Sequence, residues 1–137
     1  MRRYILTGHG RISEGIASAA ELIIGQKVQF FNAYLPGEEF FAGEIAKQIE
    51  SFSPEDEVII MTDLLGGSVN NEMTGFLEYD NVHLICGVNL ALVIGLLLSD
   101  ETKSIEQVIE KTIEESKQGI VYCNEWKKKQ AETLDDF

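Results

Sequence analysis

The chain has 137 residues, 45% hydrophobic and 25% charged, which predicts one compact domain with a single hydrophobic core. Its net charge of −12 argues against nucleic acid as a partner, because nucleic-acid binding depends on lysine and arginine neutralising phosphates. The longest apolar run, residues 90–98, is far shorter than the roughly 20 residues of a membrane span. Residues 4–6 are too short an apolar stretch for a signal peptide, so we expect a cytoplasmic protein.

Strand and helix patterns alternate along the sequence. Short segments rich in β-branched and aromatic residues predict strands at 4–7, 28–33, 57–62 and 82–86. Apolar residues three or four apart predict helices whose apolar positions span 12–23, 41–52, 73–77, 90–98 and 105–113. The third of these helices is expected to begin near Ser68. A last short apolar stretch, residues 119–123, is a candidate extra strand.

This alternation predicts an α/β fold, in which a doubly wound and mainly parallel sheet carries helices on both faces. The sequence contains no internal repeat, linker or low-complexity segment. We therefore predict one domain over residues 1–137, with a polar C-terminal tail at 124–137 that is either loose or packed on a partner subunit.

The first predicted strand ends in Gly8-His9-Gly10, directly before the first helix. This turn places an imidazole close to the backbone N–H groups that open a helix, a position that favours an anion. A loop that only bound phosphate would need glycines and N–H groups, whereas the imidazole adds a nucleophile. We therefore interpret His9 as a residue that carries a phosphoryl group.

A second motif, TDLLGGSVNN at 62–71, follows the most hydrophobic strand. Asp63 therefore lies at a carboxyl end of the sheet, as His9 does. Gly66-Gly67 permits a tight turn with positive φ, and Ser68 is predicted as the N-cap of the next helix.

The order of the strands decides whether His9 and Asp63 can meet. If the first three strands lay in chain order, the intervening strand would separate the two residues by about 10 Å. In the order 2-1-3-4, strands 1 and 3 are neighbours, and the crevice between their carboxyl ends is where such folds bind ligands. We predict this order, with Asp63 accepting a hydrogen bond from one imidazole nitrogen and leaving the other as the nucleophile.

Four further residues are candidates for holding the phosphoryl oxygens. These are the backbone N–H groups near Gly10 and Gly67, the Ser68 hydroxyl and, as an alternative to a plain surface role, Arg11. No metal, nucleotide or other cofactor is required if the donor is itself a phosphohistidine.

Three motifs together resemble the enzyme IIA component of the mannose family of the bacterial phosphoenolpyruvate-dependent sugar phosphotransferase system. They are GHG at 8–10, TDLLGGS at 62–68 and GVNL at 87–90, and the likeness runs over residues 4–121. The resemblance implies a cytoplasmic phosphocarrier that is phosphorylated at His9, with Asp63 as its partner and Ser68 contacting the phosphate.

The resemblance also implies protein partners. The phosphocarrier protein HPr would donate the phosphoryl group, and a IIB component would accept it and serve a membrane transporter of IIC and IID subunits. A peripheral association with that transporter would follow. Family members form homodimers in which a C-terminal strand is exchanged between subunits, and residues 119–123 would be that strand here.

The motifs depart from the family pattern in places. Leu65 stands where the family usually has Phe or Trp, and Val69 and Ala91 stand where Pro is frequent. These departures leave the transporter subfamily and the sugar open. The phosphocarrier subunit of dihydroxyacetone kinase shares the fold and remains an alternative, although its loops lack Gly-Gly-Ser after the third strand.

Another class of function is a non-catalytic switch or binding module on the same fold. A response-regulator receiver needs acidic residues at the first strand end, where this chain has Thr7-Gly8-His9. The glycines also miss the spacing of a dinucleotide site, and a metal site at His9 and Asp63 lacks a third convincing ligand. The second histidine, His83, lies inside a predicted strand and is interpreted as structural.

Overall fold

The computed structural model describes residues 1–37 and 42–135. Its parallel strands lie side by side in the order β2-β1-β3-β4, as predicted. In chain order the elements are β1 (Arg2–His9), α1 (Ile12–Ile24), β2 (Gln29–Ala33), α2 (Ala42–Ser51), β3 (Glu57–Thr62), α3 (Ser68–Met73), a 3-10 helix (Thr74–Glu78), β4 (Val82–Cys86), α4 (Leu90–Leu97), α5 (Ile105–Gln118) and α6 (Cys123–Asp135).

The sheet separates two hydrophobic cores, because side chains alternate between the faces of a strand. On one face, Leu6, Ile59 and Met61 pack with residues of α1, α4 and α5. On the other face, Ile5 and Ile60 pack with residues of α2 and α3. The predicted α/β fold with helices on both faces is confirmed.

The helices α4 and α5 pack closely because α4 has a glycine, Gly95, where it faces α5. A Cβ atom at Gly95 of α4 would lie 2.7 Å from Thr112 Cγ2 of α5, closer than two carbon atoms can approach. The glycine that interrupts the apolar run 90–98 is therefore a packing requirement of the helix pair.

The third helix differs from its prediction. After Met73 the backbone tightens into the 3-10 helix Thr74–Glu78, which contains Gly75, a weak helix former. Met73 is fully buried whereas Leu77 is 48% exposed, so the predicted shared face of these two residues is wrong. The predicted second helix is described from Ala42, and its first position, Phe41, lies outside the described residues.

The C-terminal segment also differs. Residues 119–122 form neither helix nor strand within the single chain, so they are not a fifth strand of its own sheet. The polar tail is predicted to be loose or packed on a partner subunit, but most of it forms α6, because its Glu, Lys, Gln and Ala residues favour a helix even without an apolar stripe. Side chains from Lys117 to Thr133 are all exposed. Residues 136 and 137 of the predicted tail lie outside the described residues.

Among the described residues, no helix has the length and apolar character needed to cross a membrane.

Candidate functional site

The neighbouring strands β1 and β3 bring His9 and Asp63 together at the carboxyl edge of the sheet. His9 is the last residue of β1, and Asp63 follows directly after β3. Asp63 Oδ2 accepts two hydrogen bonds from His9, one from the backbone N–H and one from the imidazole Nδ1, both at 2.8 Å. These two residues therefore meet in the crevice that the strand order predicts.

The two side chains differ in exposure and charge. The Asp63 side chain is 8% exposed and that of His9 is 43% exposed. Burial by itself raises the pKa of the Asp63 carboxyl, but hydrogen bonds and charge from His9 outweigh it and hold that pKa below its usual value. Asp63 is therefore an anion at neutral pH, and the Nδ1 of His9 carries a proton towards it.

The close approach of Asp63 depends on Gly8, which sequence reasoning did not single out as a site residue. A Cβ atom at Gly8 would lie 3.0 Å from Asp63 Cγ and 2.8 Å from Ile12 Cγ2. Such contacts are too short for real side chains, so only glycine leaves room for the carboxylate beneath His9. The sequence feature that could have indicated this role is the glycine directly before His9.

Ser68 lies beside the other nitrogen of the ring. The predicted N-cap role is wrong, because Gly67 takes the N-cap position of α3 and Ser68 is its first helical residue. The Ser68 hydroxyl lies 3.4 Å from His9 Nε2, which is long for a hydrogen bond. A Cβ atom at Gly67 would lie 3.6 Å from His9 Cε1, so the loop runs close against the imidazole.

The other predicted phosphate-binding groups already have partners. The Gly10 N–H donates to Ala33 O at 2.6 Å, and the Gly67 N–H donates to Leu64 O at 3.2 Å. The Arg11 guanidinium lies 3.0 Å from Glu14 Oε2. The amides of Gly10 and Gly67 thus bond within the two turns, and the Ser68 hydroxyl is the predicted group that lies beside Nε2.

Two asparagines of α3 brace the loop that carries Asp63, and sequence reasoning missed both. The Thr62 hydroxyl donates to Asn70 Oδ1 at 2.7 Å in a buried pair. The Asn71 amide donates to Gly66 O at 3.3 Å. These bonds fix each end of the 63–67 loop to the helix, and nothing in a periodicity pattern signals them.

The rim of the site is apolar. Ile12, Tyr34, Leu64 and Leu65 are all exposed, and Leu65 is 83% exposed. Large exposed apolar side chains grouped around a reactive residue are typical of a surface that binds another protein. Within residues 1–37 and 42–135, no group of three or more His, Cys, Asp or Glu side chains is placed to hold a metal ion.

The chain matches a family model over most of its length. The model is EIIA-man, described as the fructose IIA component of the phosphotransferase system, and it matches residues 3–113. By sequence, the chain is similar to the fructose-specific EIIA component of the phosphotransferase system of Bacillus subtilis strain 168. The two are 23% identical over an alignment of 127 positions that covers 88% of this chain and 86% of that protein.

Solved structures agree with this match. One similar structure is a protein from Klebsiella pneumoniae subsp. pneumoniae MGH 78578 that is assigned to a phosphoenolpyruvate-dependent sugar phosphotransferase system permease. Its sequence is 35% identical to this chain, its TM-score is 0.82, and the match covers 90% of this chain and 91% of that one. The component EIIA of Streptococcus agalactiae is 29% identical with a TM-score of 0.75, covering 90% and 98%. The chain therefore belongs to the EIIA-man family and is a phosphoryl carrier of a sugar phosphotransferase system.

Proposed function

We propose that His9 carries the phosphoryl group on Nε2, receiving it from phosphorylated HPr and passing it to a IIB component. The observation that carries this proposal is the contact of Asp63 with His9. Because Nδ1 is held against the carboxylate at 2.8 Å, Nε2 is the ring nitrogen with an available lone pair. The exposure of the ring then gives a partner protein access to it.

The transfer needs no group beyond the two histidines and Asp63. The Nε2 lone pair forms a bond to phosphorus while the P–N bond of the donor phosphohistidine breaks and returns its electron pair to the donor ring. Positive charge grows on the His9 imidazole, and the Asp63 carboxylate stabilises it through Nδ1–H. In transfer to the IIB component, a nucleophilic side chain of that component forms a bond to phosphorus while the P–Nε2 bond breaks and returns its electron pair to the His9 ring.

The Ser68 hydroxyl is the group we expect to contact the phosphoryl oxygens, because it lies beside Nε2 without being used as a helix cap. HPr and the IIB component would dock on the apolar rim formed by Ile12, Leu64 and Leu65. Both partners are cytoplasmic in this scheme, so we place the protein in the cytoplasm, with peripheral contact to the membrane transporter.

The same proposal includes a homodimer formed by strand exchange. Among the described residues, β4 pairs with β3 alone. A groove of about 290 Å³ along β4 is lined mainly by apolar residues, with His83, Glu106 and Glu110 also in its lining. An unpaired edge of this kind accepts an added strand. The exposed apolar stretch 120–122 supplies a strand of suitable character from a second copy.

Phosphorylation mapping tests the carrier role. The protein is incubated with phosphoenolpyruvate, enzyme I and HPr, followed by intact mass measurement and site mapping under alkaline conditions. We expect one base-stable, acid-labile phosphoryl group on His9, and NMR of the labelled ring to place it on Nε2. The His9→Ala variant should take no label.

His83→Gln is the matched control, since His83 is the second of the two histidines in the chain. His83 lies near the amino end of β4, away from the carboxyl edge of the sheet, and its Nε2 is hydrogen-bonded to Glu57 of β3. The His83→Gln variant should be labelled like the wild type. Stoichiometric labelling of His9→Ala, or an unlabelled wild type beside phosphorylated HPr, would reject the carrier role.

The dimer has its own test. Val121→Pro should lower the mass measured by light scattering to that of one chain, because proline removes a main-chain hydrogen-bond donor from the exchanged strand.

A further inference from the structure

The backbone of Tyr34 is unusual. Tyr34 directly follows β2, and its φ of 60° makes it the only non-glycine residue with positive φ among the described parts of the chain. The left-handed conformation is unfavourable for a bulky side chain, because Cβ comes too close to the carbonyl oxygen. Strain of this kind persists at sites where the surrounding structure fixes it and the conformation serves a function.

The chain before Tyr34 is fixed from two directions. Ala33 pairs with His9 in the parallel register of β1 and β2, and Ala33 O accepts the Gly10 N–H at 2.6 Å. Both contacts come from the segment that carries the reactive histidine. The position at which Tyr34 leaves the sheet is therefore set relative to His9 itself.

The strained turn brings the Tyr34 ring against the imidazole. The ring centroids of Tyr34 and His9 are 5.3 Å apart and their planes are tilted by 44°, within the usual range for interacting aromatic rings. The tyrosine is 49% exposed, so its ring does not enter either hydrophobic core. The ring instead lies against the His9 imidazole at the edge of the site.

We infer that Tyr34 is a positioning residue for the His9 imidazole, an inference that rests on the proposed role of His9. Asp63 and Ser68 contact the two nitrogens at the edge of the ring. Contacts at the edge fix where the nitrogens lie but leave the ring able to swing about the Nδ1–Asp63 bond. The Tyr34 ring limits that swing, so Nε2 keeps the direction needed for in-line transfer.

Three substitutions at Tyr34 separate the effect of its aromatic ring from the effect of its backbone strain. Tyr34→Phe keeps the ring, Tyr34→Ala removes it, and Tyr34→Gly removes it while relieving the positive φ. With HPr as donor, we expect kcat to fall about tenfold or more in the Ala and Gly variants while KM stays within about twofold. Tyr34→Phe should retain the wild-type kcat.

Stability and ring orientation are measured on the same variants. Tyr34→Gly should be at least as stable as Tyr34→Ala, so a slow Gly variant is not explained by unfolding. Nuclear Overhauser signals between the His9 ring protons and Gly67 should weaken in the Ala and Gly variants and persist in Tyr34→Phe, because a change in ring orientation is needed to remove them. Tyr79→Ala, at the opposite edge of the sheet, is the control and should change neither kcat nor these signals.

Several outcomes would overturn the inference. A wild-type kcat in the Ala or Gly variant would do so, as would a higher KM alone, which would make Tyr34 a docking residue. Equal losses in Phe and Ala would assign the effect to the hydroxyl instead. The carrier role of His9 fails separately, through labelling of His9→Ala, and the nuclear Overhauser signals still report whether Tyr34 orients the imidazole.

Discussion

A single oxygen of Asp63, Oδ2, binds both the main chain and the side chain of His9, at 2.8 Å in each case. The backbone bond fixes the carboxylate against the end of β1, and the side-chain bond then fixes the imidazole against the carboxylate. The position of the ring nitrogen Nδ1 is thereby fixed relative to the end of β1. This rigidity is what a reactive group needs when its partners are separate proteins.

Replacing Asp63 by Asn separates its charge from its hydrogen bonding. The amide oxygen can still accept the His9 backbone N–H, so the fold should be retained, but the charge that stabilises the growing imidazolium is lost. We expect the rate of transfer from phosphorylated HPr to fall by about 10² or more. Rapid-quench kinetics measures this rate, and an unchanged rate would make Asp63 a turn residue only.

Adding one methyl group at Gly8 should disturb the site without touching a reactive atom. In Gly8→Ala the new Cβ meets Ile12 and the Asp63 carboxyl, so the carboxylate must move. We expect slower transfer and a loss of about 1–3 kcal/mol in the free energy of unfolding. Gly15→Ala is the matched control, because nothing lies within 4 Å of its Cβ and alanine favours the helix. It should leave transfer unchanged and stability equal or higher.

The α4–α5 contact makes a prediction that is independent of function. Gly95→Ala should lower the free energy of unfolding by about 1–3 kcal/mol, because its Cβ would lie 2.7 Å from Thr112 Cγ2. Thr112→Ser removes that methyl group and keeps the hydroxyl that donates to Val108 O. The double variant should therefore recover most of the loss in urea unfolding. Additive losses in the double variant would locate the damage elsewhere.

Asp56 should contribute a pH-dependent part of the stability. A hydrogen bond from Arg3, followed by one from the amino group of Met1, lowers the pKa of its carboxyl. Between this lowered pKa and the ordinary value of about 4, the unfolded chain binds a proton that the folded chain does not, so acid favours unfolding. The contribution is therefore present above pH about 4 and is lost as the pH falls through the lowered pKa.

Urea unfolding of the wild type and Asp56→Asn at a series of pH values measures this contribution. The difference in unfolding free energy between the two proteins should be largest near neutral pH and shrink below pH about 4. A difference that stays constant over the acid range would show that the ion pair with Arg3 does not act on stability. Other carboxyl groups titrate equally in both proteins and cancel in the comparison.

The sheet order and the meeting of His9 with Asp63 were predictable, because each residue lies at the carboxyl end of a short hydrophobic strand and the doubly wound order, unlike chain order, makes those strands neighbours. The roles of Gly8, Asn70 and Tyr34 were not predictable, because each depends on the distance or angle between atoms far apart in the sequence. Helix α6 was missed since a helix without a buried face leaves no periodic pattern. Ser68 lies beside His9 Nε2, but Gly67 and not Ser68 takes the N-cap position of α3.

The enclosure of Nδ1 by Asp63 also constrains the kinetics. With one ring nitrogen held by the carboxylate, donor and acceptor must both reach Nε2 from the same exposed side. In the scheme proposed above, HPr and the IIB component would therefore exclude each other from the protein, and the carrier would have to release one before it met the other. Such a carrier works by double displacement. An excess of either partner in its unphosphorylated form would compete with the second partner for the surface around His9 Nε2.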